Sequence, residues 1–172
     1  EINITKLTQR NLIRSVQLLN KTNQMNLASR RMSDNSYNEW ANQNNNNVFV
    51  CSLKDKFGSM GIIGLCSLSE IGKGEAVVVD FILSCRAFGR MVESVMMSTL
   101  GRYCDAHQIY NLNLTLVENG KNIPCKKLLD DSSYISKIEE HKYVLDIKES
   151  LNLQFEYIKI IDEFNLWDSI TN

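Results

Sequence analysis

Several residue types that would point to particular kinds of site are scarce in this chain of 172 residues. It contains only two histidines, and its five cysteines are widely spaced, with no Cys-x-x-Cys pair. An odd, scattered set of cysteines with so few histidines argues against a zinc site or a disulfide framework, and it favours a reducing compartment. We therefore expect no metal ion and a cytoplasmic location.

The sequence also has no excess of positive or negative charge and no long apolar run. The formal net charge is -1, so the sequence as a whole gives no drive toward nucleic acid or an anionic membrane. No apolar run approaches the roughly 20 residues of a membrane span, and no signal peptide is evident. We expect one domain over residues 1–172, and because the chain begins at Glu1 without a methionine, we expect it to be excised from a longer polypeptide.

The most informative stretch is Ser-Cys-Arg-Ala-Phe-Gly-Arg-Met-Val-Glu, residues 84–93. It follows an apolar run that predicts a buried strand, and it precedes a helical pattern from Phe88 to about Ala106. A glycine turn that opens a helix can bind phosphate, because the first N–H groups of the helix are free. We predict that Arg86, Gly89 and Arg90 form such a site; the alternative is a helix start with solvated arginines.

The remaining patterns predict a mixed sheet flanked by helices. Thr8 is the predicted N-cap of the first helix, and Ser36 with Glu39 has the spacing of a capping box. The predicted strands are 2–7, 48–54, 60–69, 76–84 and 110–116, with a final pair at 141–147 and 153–160. The predicted helices are 9–20, a short one through Trp40, 88–106 and a short one near 125–129.

This order of elements, with the arginine turn after the fourth strand, resembles the GNAT-type N-acetyltransferase fold, an α/β (α+β) fold with a mostly antiparallel mixed sheet. The resemblance implies that the fourth and fifth strands splay apart and that a pantetheine arm enters the gap. It also implies that a loop of pattern Gln/Arg-x-x-Gly-x-Gly/Ala holds the diphosphate of coenzyme A. Here Met91 occupies the last position of that pattern, where its bulk would crowd the diphosphate.

Four segments sharpen the resemblance to the FkbH-like proteins of polyketide biosynthesis. They are Lys-Thr-Asn-Gln-Met-Asn-Leu-Ala-Ser-Arg-Arg (21–31), Ser-Leu-Lys-Asp-Lys-Phe-Gly (52–58), residues 83–93, and Lys121-Asn122. The chain resembles the C-terminal, GNAT-like half of that family. The resemblance implies a haloacid-dehalogenase-like phosphatase domain N-terminal in the parent chain, and an acyl carrier protein as partner. It further implies transfer of a glyceryl-type acyl group to the phosphopantetheine thiol of that carrier.

Two residues are candidates for catalysis. Cys85 lies beside Arg86 before a helix, and both features favour a nucleophilic thiolate. The alternative is a small buried residue, because free cysteines are often buried. Alternation places Val78, Asp80, Ile82 and Ser84 on one face of their strand. In the GNAT fold a carboxylate on this strand often acts as general base; the alternative for Asp80 is an ion pair with Arg30 or Arg31.

The polar segment between the first two helices is the predicted substrate-binding region. It contains Asn23, Gln24, Asn26, Arg30 and Arg31, whose amides and guanidiniums can bind a hydroxylated acyl group or a phosphate. The alternative is a loop held together by its own hydrogen bonds. Three functions stay open: a carrier-protein acyltransferase domain, an N- or O-acyltransferase that uses free acyl-CoA, and a non-catalytic carrier-docking domain.

Overall fold

The computed structural model describes residues 1–167, which fold into one sheet with helices on both faces. The strands are β1 (Ile2–Lys6), β2 (Met25–Asn26), β3 (Asn46–Asp55), β4 (Gly58–Gly72), β5 (Glu75–Leu83), β6 (Asn111–Thr115), β7 (Ile135–Glu139), β8 (Lys142–Leu145) and β9 (Ile160–Asp162). The helices are α1 (Gln9–Lys21), α2 (Asp34–Ala41), α3 (Val92–Ala106), α4 (Ile123–Asp131) and α5 (Ile147–Leu151). A 3₁₀ turn spans Cys85–Ala87.

The sheet is mixed and mostly antiparallel, as the sequence predicted. Its strand order is β7-β8-β6-β5-β4-β3-β1-β9, and β2 lies off this path, beside β5. Two pairs are parallel: β5 with β6, and β1 with β9. Helix α3 supplies the crossover between β5 and β6, because parallel neighbours need a long connection.

Side-chain alternation divides the core between the two faces of the sheet. In β3, Phe49 and Cys51 pack into the larger cluster, with residues of α3 and α4, whereas Val48 and Val50 pack against α1 and α2. Successive residues of a strand point to opposite faces, so one apolar strand serves both layers. The arrangement places the C-terminal end of α1 and the N-terminal end of α3 near the carboxyl end of β5.

Helix α1 begins as the sequence predicted, whereas the start predicted for the next helix was wrong. Thr8 is the N-cap of α1, and its backbone N–H donates to Asn11 Oδ1 at 2.7 Å. Helix α2 begins at Asp34, and its N-cap is Ser33, whose hydroxyl accepts from the Ser36 N–H at 3.2 Å. Ser36 therefore lies inside the helix, because Ser33, three residues earlier, is the residue whose side chain caps the helix.

Of the predicted final pair of strands, the first, 141–147, is observed as β8, whereas the second, 153–160, and the pairing between them were wrong. The C-terminal hairpin is formed by β7 and β8 around His141, whose backbone adopts a left-handed φ of 61°. Residues 153–159 form no strand; Phe155 and Ile158 instead pack on the larger core cluster. Their apolar pattern reflects this packing, and only Ile160–Asp162 finds a strand partner, β1.

A β-bulge in β5 changes which residues share a face. Ser67 of β4 pairs with Asp80, but the next residue, Leu68, pairs with Val78, so Val79 is extra. The extra residue turns Val78 into the larger cluster, while Ile82 packs with the smaller one on the α1 side. The prediction that both lie on one face was therefore wrong.

Candidate functional site

A large opening lies at the carboxyl end of β5, between that strand, the last turns of α1 and the loop after β6. Its volume is about 840 Å³. Its walls are formed by Arg14, Gln17, Leu18, Lys21, Thr22, Asn23, Gln24, Leu83, Ser84, Cys85, Arg86, Gly120 and Lys121. We call this opening the cationic cleft.

The charge of the cleft is all of one sign. It has four basic side chains and no acidic one among its lining residues, although the chain as a whole has a net charge of -1. The four are Arg14, Lys21, Arg86 and Lys121. Within residues 1–167 none of them is paired with a carboxylate in a salt bridge. Unpaired cations around one opening favour an anionic ligand such as a phosphate.

Four of the predicted site residues meet in this cleft. Cys85 and Arg86 come from the 3₁₀ turn after β5, and both are exposed. Asn23 and Gln24 come from the segment after α1. The other four cysteines are buried, so Cys85 is the one thiol of residues 1–167 that is open to solvent.

Arg90 lies elsewhere. Its guanidinium donates to Asp55 Oδ2 at 2.7 Å, and it lines a second cleft, beside the β3–β4 turn. The backbone N–H of Phe57 and the Arg90 guanidinium hold the pKa of Asp55 below its usual range. Arg86 and Arg90 therefore do not converge on one anion.

The turn before α3 also differs from the prediction. The helix begins at Val92 rather than Phe88, and Met91 is its N-cap in the left-handed conformation, with φ 59°. Gly89 has φ 72°, and it lies beside a groove between the start of α3 and α4. Two left-handed residues in the turn delay the helix, because continuous helix requires negative φ at every position.

Asp80 is buried in a hydrogen-bond network. Its two oxygens accept from Arg30 Nε at 3.0 Å and Arg30 Nη2 at 2.7 Å. Ser67 Oγ donates to Oδ2 at 2.8 Å, and Tyr37 Oη lies 3.4 Å from the same atom. Burial, together with the Asp80 charge, raises the pKa of Tyr37 well above its usual value, so the phenol stays neutral. The geometry is that of the predicted structural ion pair; the general-base role of Asp80 stays a prediction.

Two more predicted residues, Arg31 and Asn26, make hydrogen bonds within their own part of the chain. Arg31 donates to Leu19 O at 3.0 Å and to Asn23 Oδ1 at 2.7 Å. Asn26 is buried; its amide donates to Thr22 O at 2.9 Å, and its side-chain oxygen accepts from the Ser29 N–H at 2.8 Å. Of the five predicted substrate-binding residues, only Asn23 and Gln24 line the cationic cleft.

The gap between β5 and β6 is filled by the chain itself. The two strands pair only as far as Val78 and Leu114. Beyond that point Leu27 bridges the diverging strands: its N–H donates to Phe81 O at 3.1 Å, and its carbonyl accepts from the Val117 N–H at 2.8 Å. Strand β2 pairs with the last two residues of β5, Ile82 and Leu83.

Asn122 holds the segment that fills this gap, residues 25–27, by hydrogen bonds. Its buried side-chain amide donates to Asn26 O at 3.0 Å and to Val117 O at 2.9 Å. Met25 and Leu27 are buried as well, so removal of the segment would expose apolar surface and unpaired backbone groups. A pantetheine arm therefore does not fit between β5 and β6, whereas the cationic cleft beside them offers cations and a thiol.

Three of the four basic residues of the cleft were not predicted to belong to a site: Arg14, Lys21 and Lys121. Arg14 and Lys21 are seven residues apart, a spacing that puts two side chains on the same face of a helix. Lys121 belongs to the Lys-Asn pair on which part of the family resemblance rests, and it had no assigned role. The seven-residue spacing of Arg14 and Lys21 could therefore have predicted, from the sequence, that both cations lie on one face of the first helix.

Within residues 1–167 no group of three or more histidine, cysteine, aspartate or glutamate side chains could hold a metal ion. In the same part of the chain no helix is both long and apolar enough to cross a membrane.

Comparison with solved structures shows that the fold is that of the GNAT acetyltransferases. A GNAT-family acetyltransferase from Staphylococcus aureus Mu50 is similar, with a TM-score of 0.60 and 10% identity over 86% of this chain and 99% of that one. The ribosomal-protein-S18-alanine N-acetyltransferase of Escherichia coli has a TM-score of 0.59 and 10% identity, covering 92% and 99%. The PaiA N-acetyltransferase of Thermoplasma acidophilum, solved with coenzyme A, has a TM-score of 0.57 and 11% identity, covering 84% and 97%.

No protein-family model matches the chain, and no curated protein sequence does. The likeness to solved structures therefore concerns the fold, which confirms the predicted fold class.

Proposed function

We propose that this domain is the GNAT-like half of an FkbH-like protein. It would bind the phosphopantetheine arm of an acyl carrier protein and help to move a glyceryl-type acyl group to the carrier thiol. The observation that carries the proposal is the cationic cleft, where four basic side chains and the exposed Cys85 thiol share one opening without a carboxylate. A phosphorylated thiol matches both features of this opening.

The roles of the residues follow from their positions. Arg86, from the turn after β5, and Lys121, from the loop after β6, both line the cleft and hold the phosphate through charge-assisted hydrogen bonds. Asn23 and Gln24 offer amide donors and acceptors to the hydroxyl groups of the acyl chain. Cys85 holds the acyl group as a thioester. It gives that group to the carrier thiol as the bond from its sulfur to the acyl carbon breaks, and it takes the proton that the carrier thiol loses.

Binding is tested first. Arg86→Ala and Lys121→Ala should each weaken binding of a holo acyl carrier protein by roughly tenfold in calorimetry, the loss expected for one charged hydrogen bond. Arg90→Ala is the matched control, because Arg90 belongs to the same turn but pairs with Asp55 in another cleft. Equal losses in Arg86→Ala and Arg90→Ala, with all variants folded, would contradict the proposed site.

Acyl transfer is tested by intact-mass spectrometry. After incubation with the phosphatase half and its substrate, the wild-type domain should gain the mass of one glyceryl group, and Cys85→Ser should not. Addition of the holo-carrier should move that mass from the domain to the carrier. A glyceryl adduct that persists in Cys85→Ser would place the thioester elsewhere.

A second candidate function is an N- or O-acyltransferase that uses free acyl-CoA. The fold supports it, since the similar PaiA N-acetyltransferase was solved in complex with coenzyme A. The bulky Met91, at the last position of the diphosphate-loop pattern, argues against coenzyme A in this chain, because only coenzyme A adds a diphosphate to the shared pantetheine arm. Affinities for holo-carrier, apo-carrier and coenzyme A at one salt concentration discriminate: we expect holo-carrier tightest and coenzyme A weakest, and the reverse order favours the acyl-CoA enzyme.

A further inference from the structure

The exposed side of α1 is a cationic surface that continues from the cleft. Its residues are Arg10, Ile13, Arg14, Gln17 and Lys21, all of which are exposed. Arg10, Arg14, Gln17 and Lys21 follow one another at steps of three or four residues, and Ile13 lies beside them, three residues after Arg10, so the five form one stripe along the helix. At a rise of about 1.5 Å per residue the stripe is roughly 16 Å long. We call it the outer face of α1.

The charges of this face are not neutralised. Helix α1 contains no acidic residue, and within residues 1–167 none of its three exposed cations, Arg10, Arg14 and Lys21, is in a salt bridge. Ile13 lies among them with 59% of its surface exposed. An apolar side chain surrounded by charges resembles the centre and rim of a protein interface.

The position of this face connects it to the ligand. Arg14, Gln17 and Lys21 belong both to the outer face of α1 and to the wall of the cationic cleft. Arg10 lies one turn beyond Arg14 and does not line the cleft. A protein that delivers a phosphorylated thiol into the cleft therefore passes α1, and its own surface is brought against Arg10 and Ile13.

We propose that the outer face of α1 docks an acidic surface of the acyl carrier protein whose phosphopantetheine enters the cationic cleft. This inference rests on the proposed function. The acidic surface is selected by charge complementarity, because three unpaired cations around one isoleucine attract a negatively charged surface and repel a basic one.

The test separates docking from ligand binding by means of Arg10. Arg10→Glu should lower the association rate constant for an acidic holo-carrier by about tenfold at low salt, since charge reversal at an interface acts chiefly on association. The same variant should bind free phosphopantetheine as the wild type does, because Arg10 is outside the cleft. Lys148→Glu, an equal charge change on the exposed side of α5, should alter neither measurement.

The outcomes distinguish the two proposals. Wild-type association rates for Arg10→Glu, or equal losses in Arg10→Glu and Lys148→Glu, would refute the docking surface while free phosphopantetheine still binds. Loss of phosphopantetheine binding only in Arg86→Ala would leave the proposed function standing. If the wild-type protein instead binds short duplex DNA or anionic vesicles more tightly than the carrier, and Arg10→Glu abolishes that binding, the partner is not a protein and this inference is wrong.

Discussion

Removal of Arg30 is expected to destabilise the protein more than removal of its neighbour Arg31. Arg30 makes two hydrogen bonds to Asp80, and its guanidinium lies 4.4 Å from the centre of the Trp40 ring. The Asp80 side chain is 1% exposed and that of Arg30 25%. In Arg30→Met the carboxylate would remain buried with only hydroxyl partners.

The size of the effect follows from that burial. Breaking a buried ion pair by removal of one partner costs about 3–5 kcal/mol, and the partial exposure of Arg30 favours the lower end, about 3 kcal/mol. Arg31 is exposed and bonds to carbonyl and amide oxygens, so Arg31→Met should cost about 1 kcal/mol. For a domain of this size, ~3 kcal/mol lowers the melting temperature by roughly 6–12 °C.

Urea unfolding of both variants measures the difference, and thermal melting checks it. The double variant Arg30→Met/Asp80→Asn is a further control, because it removes the uncompensated charge and should be no less stable than Arg30→Met alone. If Arg30→Met loses no more stability than Arg31→Met, the Arg30–Asp80 pair is not a buried structural pair, and the general-base role of Asp80 gains weight.

Three further predictions concern a turn, a helix contact and the thiols. Met91→Gly should raise the free energy of unfolding, measured in urea, by about 0.5–1 kcal/mol, because it removes a left-handed residue with a side chain. Gly101→Ala should cost about 1–3 kcal/mol, because its new Cβ would collide with the Ser150 hydroxyl; in a Ser150→Gly background the same change should be stabilising, measured by thermal melting. At pH 8 a thiol reagent should label one cysteine rapidly, Cys85, and none in Cys85→Ser. Burial raises the pKa of Cys104 to about 12. The protonated thiol therefore contributes its full stability below the usual thiol pKa, and the free energy of unfolding should fall as pH rises from there toward about 12.

Specific results would contradict these three predictions. A Met91→Gly protein less stable than the wild type would mean that the methionine side chain makes contacts that outweigh its backbone strain. An equal loss from Gly101→Ala in both backgrounds would show that Ser150 is not the obstacle. Rapid labelling of two or more thiols in the native protein would show that the core cysteines are open to solvent.

The fold was largely determined by local sequence patterns. The apolar runs of β3 to β5, the glycine turn between β4 and β5, and the Thr8 cap of α1 are short-range signals, and each was predicted close to its observed place. The C-terminal segment was not predicted correctly, because the apolar side chains of 153–159 are partly buried by packing on the core and not by strand pairing. An apolar pattern records burial and does not record which partner buries it.

The site depended on the tertiary structure. The sequence placed Cys85 and Arg86 at a strand end, and the fold brought them to Lys121 and to Arg14 of α1. Arg90, only four residues after Arg86, was turned away by its ion pair with Asp55, 35 residues distant in the chain. The pairing of β2 with the end of β5, where β5 diverges from β6, is likewise a long-range contact. Residue type and spacing thus determined the layers of the fold and the chemistry available to it. Pairings between distant residues decided which charges face the cationic cleft. Each ion pair, such as Arg90 with Asp55, neutralises a charge that the sequence alone would count as free to bind a ligand.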